Sequence, residues 1–323
     1  MEEDLEVIER GLLSEVDGLL DFDDFEPQDP VDITRGVSTP VRRVSSKVLN
    51  YLGVVKLATS FATSNHKAWL MQSLLNELGY PLKADGLFGN KTEEQVKQFQ
   101  ADHGLVADGI AGKATWSELI YLGRNRISNP KISERDYEDA ANELGVEVAV
   151  VKAIKDVEAG GSGYVFSNHP TILFESHVFW KELKKRGINP SNYNDTDLLN
   201  ETWNQGKTHY VGGVGEHARL RKASLINSDA ANASASWGLF QIMGNNYAKC
   251  GCRSVSEFVE RMCKSESEQL MMFVAFIKKN NLHSFLKGKE KQWASFAAGY
   301  NGSRYKENQY DTKLMEAYDK YNK

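Results

Sequence analysis

Glu158 is the last acidic residue before the glycines at 160, 161 and 163, and it follows Val146, Ala149, Val150, Ala153, Ile154 and Val157 at helical spacing. The glycines mark the helix end. Four residues beyond Ile154, the carboxyl falls at the margin of the apolar face, where partial desolvation favours the protonated form. A carboxylic acid held in this way is what a general acid for glycoside cleavage requires. The competing reading is an exposed glutamate at a helix end. Two further stretches, S-A-S-W-G-L-F-Q-I-M-G over 234–244 and F-A-A-G-Y-N-G over 296–302, mix aromatics, small residues and amides in a way ordinary cores do not favour.

That order of motifs, a glutamate at a helix end, then S-W-G-L-F-Q-I, then G-Y-N-G, resembles the lysozyme-like superfamily, including goose-type lysozymes and lytic transglycosylases. With I-L-F-E-S-H-V-F over 172–179 and with Tyr305, Asn308, Tyr310, Asp311, Lys313 and Leu314, the stretch from about 146 to 318 resembles the N-acetylmuramidase family of modular phage endolysins. The resemblance implies hydrolysis of the β-1,4 bond between N-acetylmuramic acid and N-acetylglucosamine in bacterial peptidoglycan, leading to lysis of the host cell. Relatives commonly show Glu-Ser at the acid, whereas Ala159 follows Glu158 here. In this reading Glu158 protonates the glycosidic oxygen. Glu175, which lies 17 residues later after an expected strand over 171–174, is the candidate second carboxylate. Its alternative role is to orient side chains or close a buried hydrogen bond. Ser236 and Gln241 are expected to donate hydrogen bonds to sugar N-acetyl groups or to the acid, Tyr300 and Asn301 to do so from the other wall, and Trp237 to offer a stacking face. Trp237 and Phe240 read equally well as core.

The elements behind these residues are legible. Ser254 with Glu257 and Ser265 with Glu268 have capping-box spacing, and the second pair opens the apolar run 270–277, expected as the central helix of a catalytic domain. Farther upstream, D-G-L-F-G-N-K-T over 85–92 recurs 23 positions later as D-G-I-A-G-K-A-T over 108–115. Asp-Gly supplies a turn with positive φ, and Thr92 and Thr115 are expected to cap following helices, with Gln95 and Glu118 at capping-box spacing. Leu70, Leu74, Leu75 and Leu78 fall at helical spacing before Gly79, Val96 and Phe99 mark a middle helix, and Trp116 and Leu119 a closing one. With these residues the stretch 65–123 resembles type 1 peptidoglycan-binding domains, which implies attachment to bacterial cell wall.

At 323 residues with a net charge of −5 the composition is that of a globular protein, and it weighs against nucleic acid and against simple adhesion to anionic polymers. No apolar run reaches the roughly 18 residues of a membrane span. Residues 1–32 carry thirteen Asp and Glu against one Arg, over a helical stripe of Leu5, Ile8, Leu12, Val16 and Leu19. That acidic start argues against a secretory signal, so synthesis in the host cytoplasm and release to the wall are expected. Cys250, Cys252 and Cys263 read as reduced thiols. Gly212, Gly213 and Gly215 lack the ending of a phosphate-binding loop, and His169, His177, His209 and His217 lack a zinc-peptidase motif, so no metal or cofactor is expected.

The expected architecture is mostly α: an acidic helical extension over 1–64, a three-helix peptidoglycan-binding module over 65–123, and a lysozyme-like α+β catalytic domain with a small β element over 124–323. Its expected partner is peptidoglycan, with oligomeric state open. The two alternatives are a lytic transglycosylase giving 1,6-anhydromuramic products and a non-catalytic wall-binding virion protein. The module and the catalytic domain read as separate cores, so loss of residues 1–123 is expected to spare cleavage of soluble fragments.

Overall fold

Helical apolar spacing prevails along the chain, and the folded protein is accordingly α-helical with a few short antiparallel strands. The computed structural model describes residues 44–57, 65–159, 161–202 and 210–323. The acidic stripe over 5–19 and His209 lie outside the described residues. These fall into two compact units, one of residues 44–128 with Tyr164–Ala235, the other of Asn129–Gly163 with Ser236–Lys323.

In the first unit three helices, His66–Glu77, Asn90–Asp102 and Lys113–Asn125, bury Leu70, Leu74, Leu75, Val96, Phe99, Trp116 and Leu119 against one another. Asn65 caps the first through Oδ1, which accepts from the amides of Lys67 and Ala68. The other two are capped by Gly89 and Gly112 and receive no side-chain cap. The expectation that Thr92 and Thr115 cap them is therefore corrected. Both threonines lie inside the first turn, and their hydroxyls turn back to the loop, each meeting a buried glutamine.

Those glutamines explain the duplicated sequence. Gln72 donates from Nε2 to Asp85 Oδ1, the Leu87 carbonyl and Thr92 Oγ1, and its Oε1 accepts from the Gly86 amide at 2.8 Å. Gln100 repeats the pattern with Asp108 Oδ1, the Ile110 carbonyl, Thr115 Oγ1 and the Gly109 amide, again at 2.8 Å. Each aspartate also accepts from the amide two residues on, closing the turn. A buried amide with all its groups satisfied thus replaces apolar packing at the centre of each loop.

The short Ser46–Leu52 helix stops at Gly53, whose carbonyl accepts from Trp116 Nε1. Val55 then bridges to Ala111. The core built by these helices does not stop at residue 123. It continues through Val165, Phe166, Val211, Val214 and Ala218 as one apolar cluster. His169 stacks on the Phe166 ring at 3.8 Å and lies edge-on to His217 at 5.2 Å, so these two histidines are packing elements. The expectation of separate cores is overturned, because Val165, Phe166, Val211, Val214 and Ala218, all from beyond residue 123, supply side chains to the core of the three-helix module.

In the second unit Glu134–Leu144 opens with a complete Ser133–Asp136 capping box and ends on left-handed Gly145. It packs on Val148–Glu158 and on Glu266–Lys279, while Val148–Glu158 also packs along Tyr310–Tyr321, which in turn rests on Trp293–Asn301. Glu266–Lys279 buries Leu270, Met272, Phe273, Val274 and Ile277, as a central helix should, and Ser254 and Ser265 cap as expected. Ala235–Trp237 and Ile242–Met243 pair antiparallel, with Ser236 opposite Met243. Cys250, Cys252 and Cys263 are unpaired thiols. No helix among the described residues is long and apolar enough to cross a membrane.

Removal of residues 1–123 is expected to strip cover from Val165, Phe166, Val211, Val214 and Ala218. The fragment should bind a hydrophobic dye and lose cooperative thermal unfolding, and a sharp unfolding transition with no dye binding would contradict the shared core.

Candidate active site

In the unit formed by Asn129–Gly163 and Ser236–Lys323, Glu158 ends its helix half-buried, followed by buried Ala159. Asn301 ends another helix, is 0% exposed, and donates from Nδ2 to Glu158 Oε1 at 2.8 Å. The last residue of each helix thus carries one half of an amide–carboxyl pair. Ser236 Oγ donates to Gln241 Oε1 at 2.8 Å, and Gln241 Nε2 donates to the Gly238 carbonyl at 2.7 Å. Gln241 adopts a φ of 46°, a left-handed conformation that costs a non-glycine residue about 1–3 kcal/mol and tends to mark functional sites. Gly238 has no room for a side chain, since a Cβ there would lie 2.7 Å from Gln269, whose Oε1 receives the Leu239 amide.

Tyr300 sits deeper. Its hydroxyl donates to the Phe240 carbonyl at 3.0 Å, and its ring packs against Phe273, Phe276 and Phe296. Trp237 is also buried, and Phe240 stacks on Phe273 at 4.2 Å. The structure therefore brings Glu158 and Asn301 into direct contact, joins Ser236 to Gln241, packs Tyr300 among aromatic rings and buries Trp237.

Glu175 belongs to the other unit, where it caps the Ser176–Lys185 helix after the Ile172–Phe174 strand and is 3% exposed. Its Oε2 accepts from the Tyr210 hydroxyl at 2.8 Å, with His177 Nδ1 at 3.5 Å. Burial pushes the carboxyl up to about 7. The Tyr210 hydrogen bond pulls it down, Glu216 pushes it up and Arg219 pulls it down.

Glu216 and Arg219 were not singled out by sequence reasoning, nor was Tyr210. Both charged residues are 0% exposed and pair at 2.7 Å within the Val214–Ser224 helix. Glu216 Oε1 accepts from the Val211 amide at 2.6 Å and the Gly212 amide at 3.1 Å, and Oε2 from the Phe174 amide at 3.1 Å. Arg219 donates to the Phe174 carbonyl, Ser176 Oγ and the Asp197 carbonyl. The glycines before this helix have a structural cause: Gly212 and Gly213 take positive φ, and a Cβ on Gly215 would come within 2.3 Å of Val211. A glycine turn whose amides converge on a carboxylate, with Arg at i+3, was the available signal.

The N-acetylmuramidase family model matches residues 147–322, more than half of the chain. The chain belongs to the N-acetylmuramidase family. A peptidoglycan binding domain model matches residues 70–119. Among solved structures, that of the Burkholderia AP3 phage endolysin shares 37% identity with a TM-score of 0.54, over 84% of this chain and 98% of that one. Among curated proteins, the zinc D-Ala-D-Ala carboxypeptidase of Streptomyces albus G is 47% identical over 49 residues, 14% of this chain and 19% of that protein. The N-acetylmuramoyl-L-alanine amidase CwlM of Mycobacterium tuberculosis is 28% identical over 113 residues, 34% of this chain and 28% of that protein. The chain thus spans less than a third of either curated relative. In this muramidase the helical architecture with its small β element is the peptidoglycan-binding plus lysozyme-like arrangement expected from sequence.

Because the folded protein holds the Glu175 proton to about pH 7 while the unfolded chain releases it near 4.5, the contribution of Glu175 to folding stability is fully present below the lower value and is lost as pH rises between the two, against the opposite contribution of the buried His66, His169 and His217, whose folded forms resist protonation. The loss should total ~3 kcal/mol and level off above pH 7. Glu175→Gln should remove that falling component, so that the stability of the variant relative to the parent rises by this amount between pH 4.5 and 7, as read by urea unfolding of both proteins from pH 4 to 8; a difference that does not change with pH would refute the raised carboxyl.

Proposed function

We propose that this protein is a modular endolysin that hydrolyses the β-1,4 bond between N-acetylmuramic acid and N-acetylglucosamine in bacterial peptidoglycan, with residues 65–123 holding it on the wall. The observation that carries this reading is the Glu158–Asn301 pair at the ends of two helices, inside the region matched by the muramidase family. Glu158, held through Oε1 by the Asn301 amide, is assigned to give its proton to the glycosidic oxygen as the bond from that oxygen to the anomeric carbon breaks. The sugar left behind has oxocarbenium character and is captured by water, which loses a proton as its oxygen bonds to the anomeric carbon.

Glu175 is assigned as the second carboxylate. A group titrating near 7 changes charge in the neutral range, which is the property required of a carboxylate that stabilises an oxocarbenium or takes a proton from water, and this supports the assignment. Ser236 and Gln241 are assigned to shaping the sugar-binding wall around the strained residue 241, and Tyr300 and Trp237 to supporting it from behind. The three-part division into residues 1–64, 65–123 and 124–323 is retained as a functional division. We assign synthesis to the host cytoplasm and action at the wall after release, a reading supported by the unpaired cysteines.

Glu158→Gln is expected to lower the rate of reducing-end release from purified wall by about 10²–10⁴-fold while co-sedimentation with wall persists. Digestion in ¹⁸O-water by the parent protein should label the new reducing ends, as seen by mass spectrometry. Unlabelled 1,6-anhydro ends would identify a transglycosylase instead, and full activity in the glutamine variant would remove Glu158 from the mechanism.

A further inference from the structure

The acceptors and donors around Glu216 are not scattered. One carboxylate oxygen holds the Phe174 amide, the residue immediately before Glu175, and the other holds the Val211 and Gly212 amides, the two residues immediately after Tyr210. Arg219 completes the frame on the far side of Glu175 by donating to Ser176 Oγ and, like Glu216, it touches Phe174. Both ends of the Tyr210–Glu175 hydrogen bond thus hang from a single side chain. Packing alone does not demand this, because an apolar pair of similar volume usually ties a helix to a strand at least as well as a buried ion pair. What an apolar pair cannot do is fix the position of three backbone amides at once.

We infer that Glu216 is a positioning residue: by bonding the backbone beside Glu175 with one oxygen and the backbone beside Tyr210 with the other, it sets the hydrogen bond between them and thereby the charge state of the second carboxylate. The inference rests on the role given to Glu175 above. A glutamine at 216 has one acceptor oxygen, so its NH2 group must oppose either the Val211 and Gly212 amides or the Phe174 amide and Arg219. It therefore releases one end of the frame while keeping the size of the side chain.

The groups facing Glu175 are Tyr210, His177, Glu216 and Arg219, and their signs make the test decisive. The Glu175 carboxyl is followed by ¹³C NMR titration in the full chain, assigned with Glu175→Gln. Tyr210→Phe removes a donor to the charged form, so the midpoint should rise by about one pH unit. Glu216→Gln removes a negative charge, which by itself lowers the midpoint. If it also frees Tyr210, the midpoint rises instead, toward that of Tyr210→Phe. In a Tyr210→Phe background no hydrogen bond is left to lose, so adding Glu216→Gln should lower the midpoint. A fall in the single Glu216→Gln variant would overturn the inference.

The acid limb of kcat/KM on soluble glycan fragments should follow the NMR midpoint across these variants. A limb that stays put while the midpoint moves would remove Glu175 from the reaction yet leave the positioning role intact. Should Glu216→Gln fail to fold, hydrogen exchange of the unaltered protein decides: the Val211 and Gly212 amides, outside any helix or strand, should exchange as slowly as core amides, and exchange at loop rates would overturn the clamp.

Discussion

A carboxylate and a guanidinium removed wholly from water are tolerated only when their hydrogen-bonding capacity is met by fixed partners. Glu216 and Arg219 satisfy that condition by drawing on the Phe174 backbone, Ser176, Asp197 and the Val211–Gly212 turn, which lie far apart in sequence. Of the polar atoms of these two side chains, Arg219 Nε alone has no hydrogen-bond partner among the described residues. The pair therefore works as a fastening for the segments that carry Glu175 and Tyr210. Those segments are short or irregular and have little regular hydrogen bonding of their own with which to hold a side chain in place.

The peptidoglycan-binding module applies the same principle with neutral groups. Two buried glutamines, each on the helix preceding its loop, satisfy the turn amides and carbonyls that the D-G-aliphatic-x-G loops leave without regular partners. The loops were legible in sequence because Asp-Gly and the spacing to Thr are local signals. The glutamines were not, since Gln72 lies 13 residues before Asp85 whereas Gln100 lies 8 before Asp108, so the anchors break the 23-residue period of what they anchor. The threonine caps were misread for a related reason: hydroxyls at the first turn of a helix satisfy either the helix amides or a loop, and a buried glutamine nearby settles the competition in favour of the loop.

The site divides along similar lines. Glu158 was legible because an apolar stripe and a glycine stop define where a helix ends and which way its last side chain points. Asn301 was singled out by its motif, but its contact with Glu158 depends on how two helices pack, which no local pattern encodes. Tyr300 and Trp237 stand in the same motifs as Asn301 and Gln241 and are buried with them, and Tyr300 turns its hydroxyl to the Phe240 carbonyl. The Glu175 carboxyl is governed by residues 35 to 44 positions downstream. Its environment could emerge only from the fold.

The shared core also constrains how such chains can be recombined. A wall-targeting segment is attractive to exchange between lytic enzymes, and the stretch at 70–119 suggests where to cut. Yet Phe166, Val211 and Val214 are packed against that stretch as if it were part of their own domain. A foreign segment spliced in at residue 123 would have to present a surface complementary to those side chains. The unit of inheritance here is therefore the module together with the segment 164–235 that completes its interior, and chimaeras that respect the boundary of the first but not of the second inherit a mismatched seam.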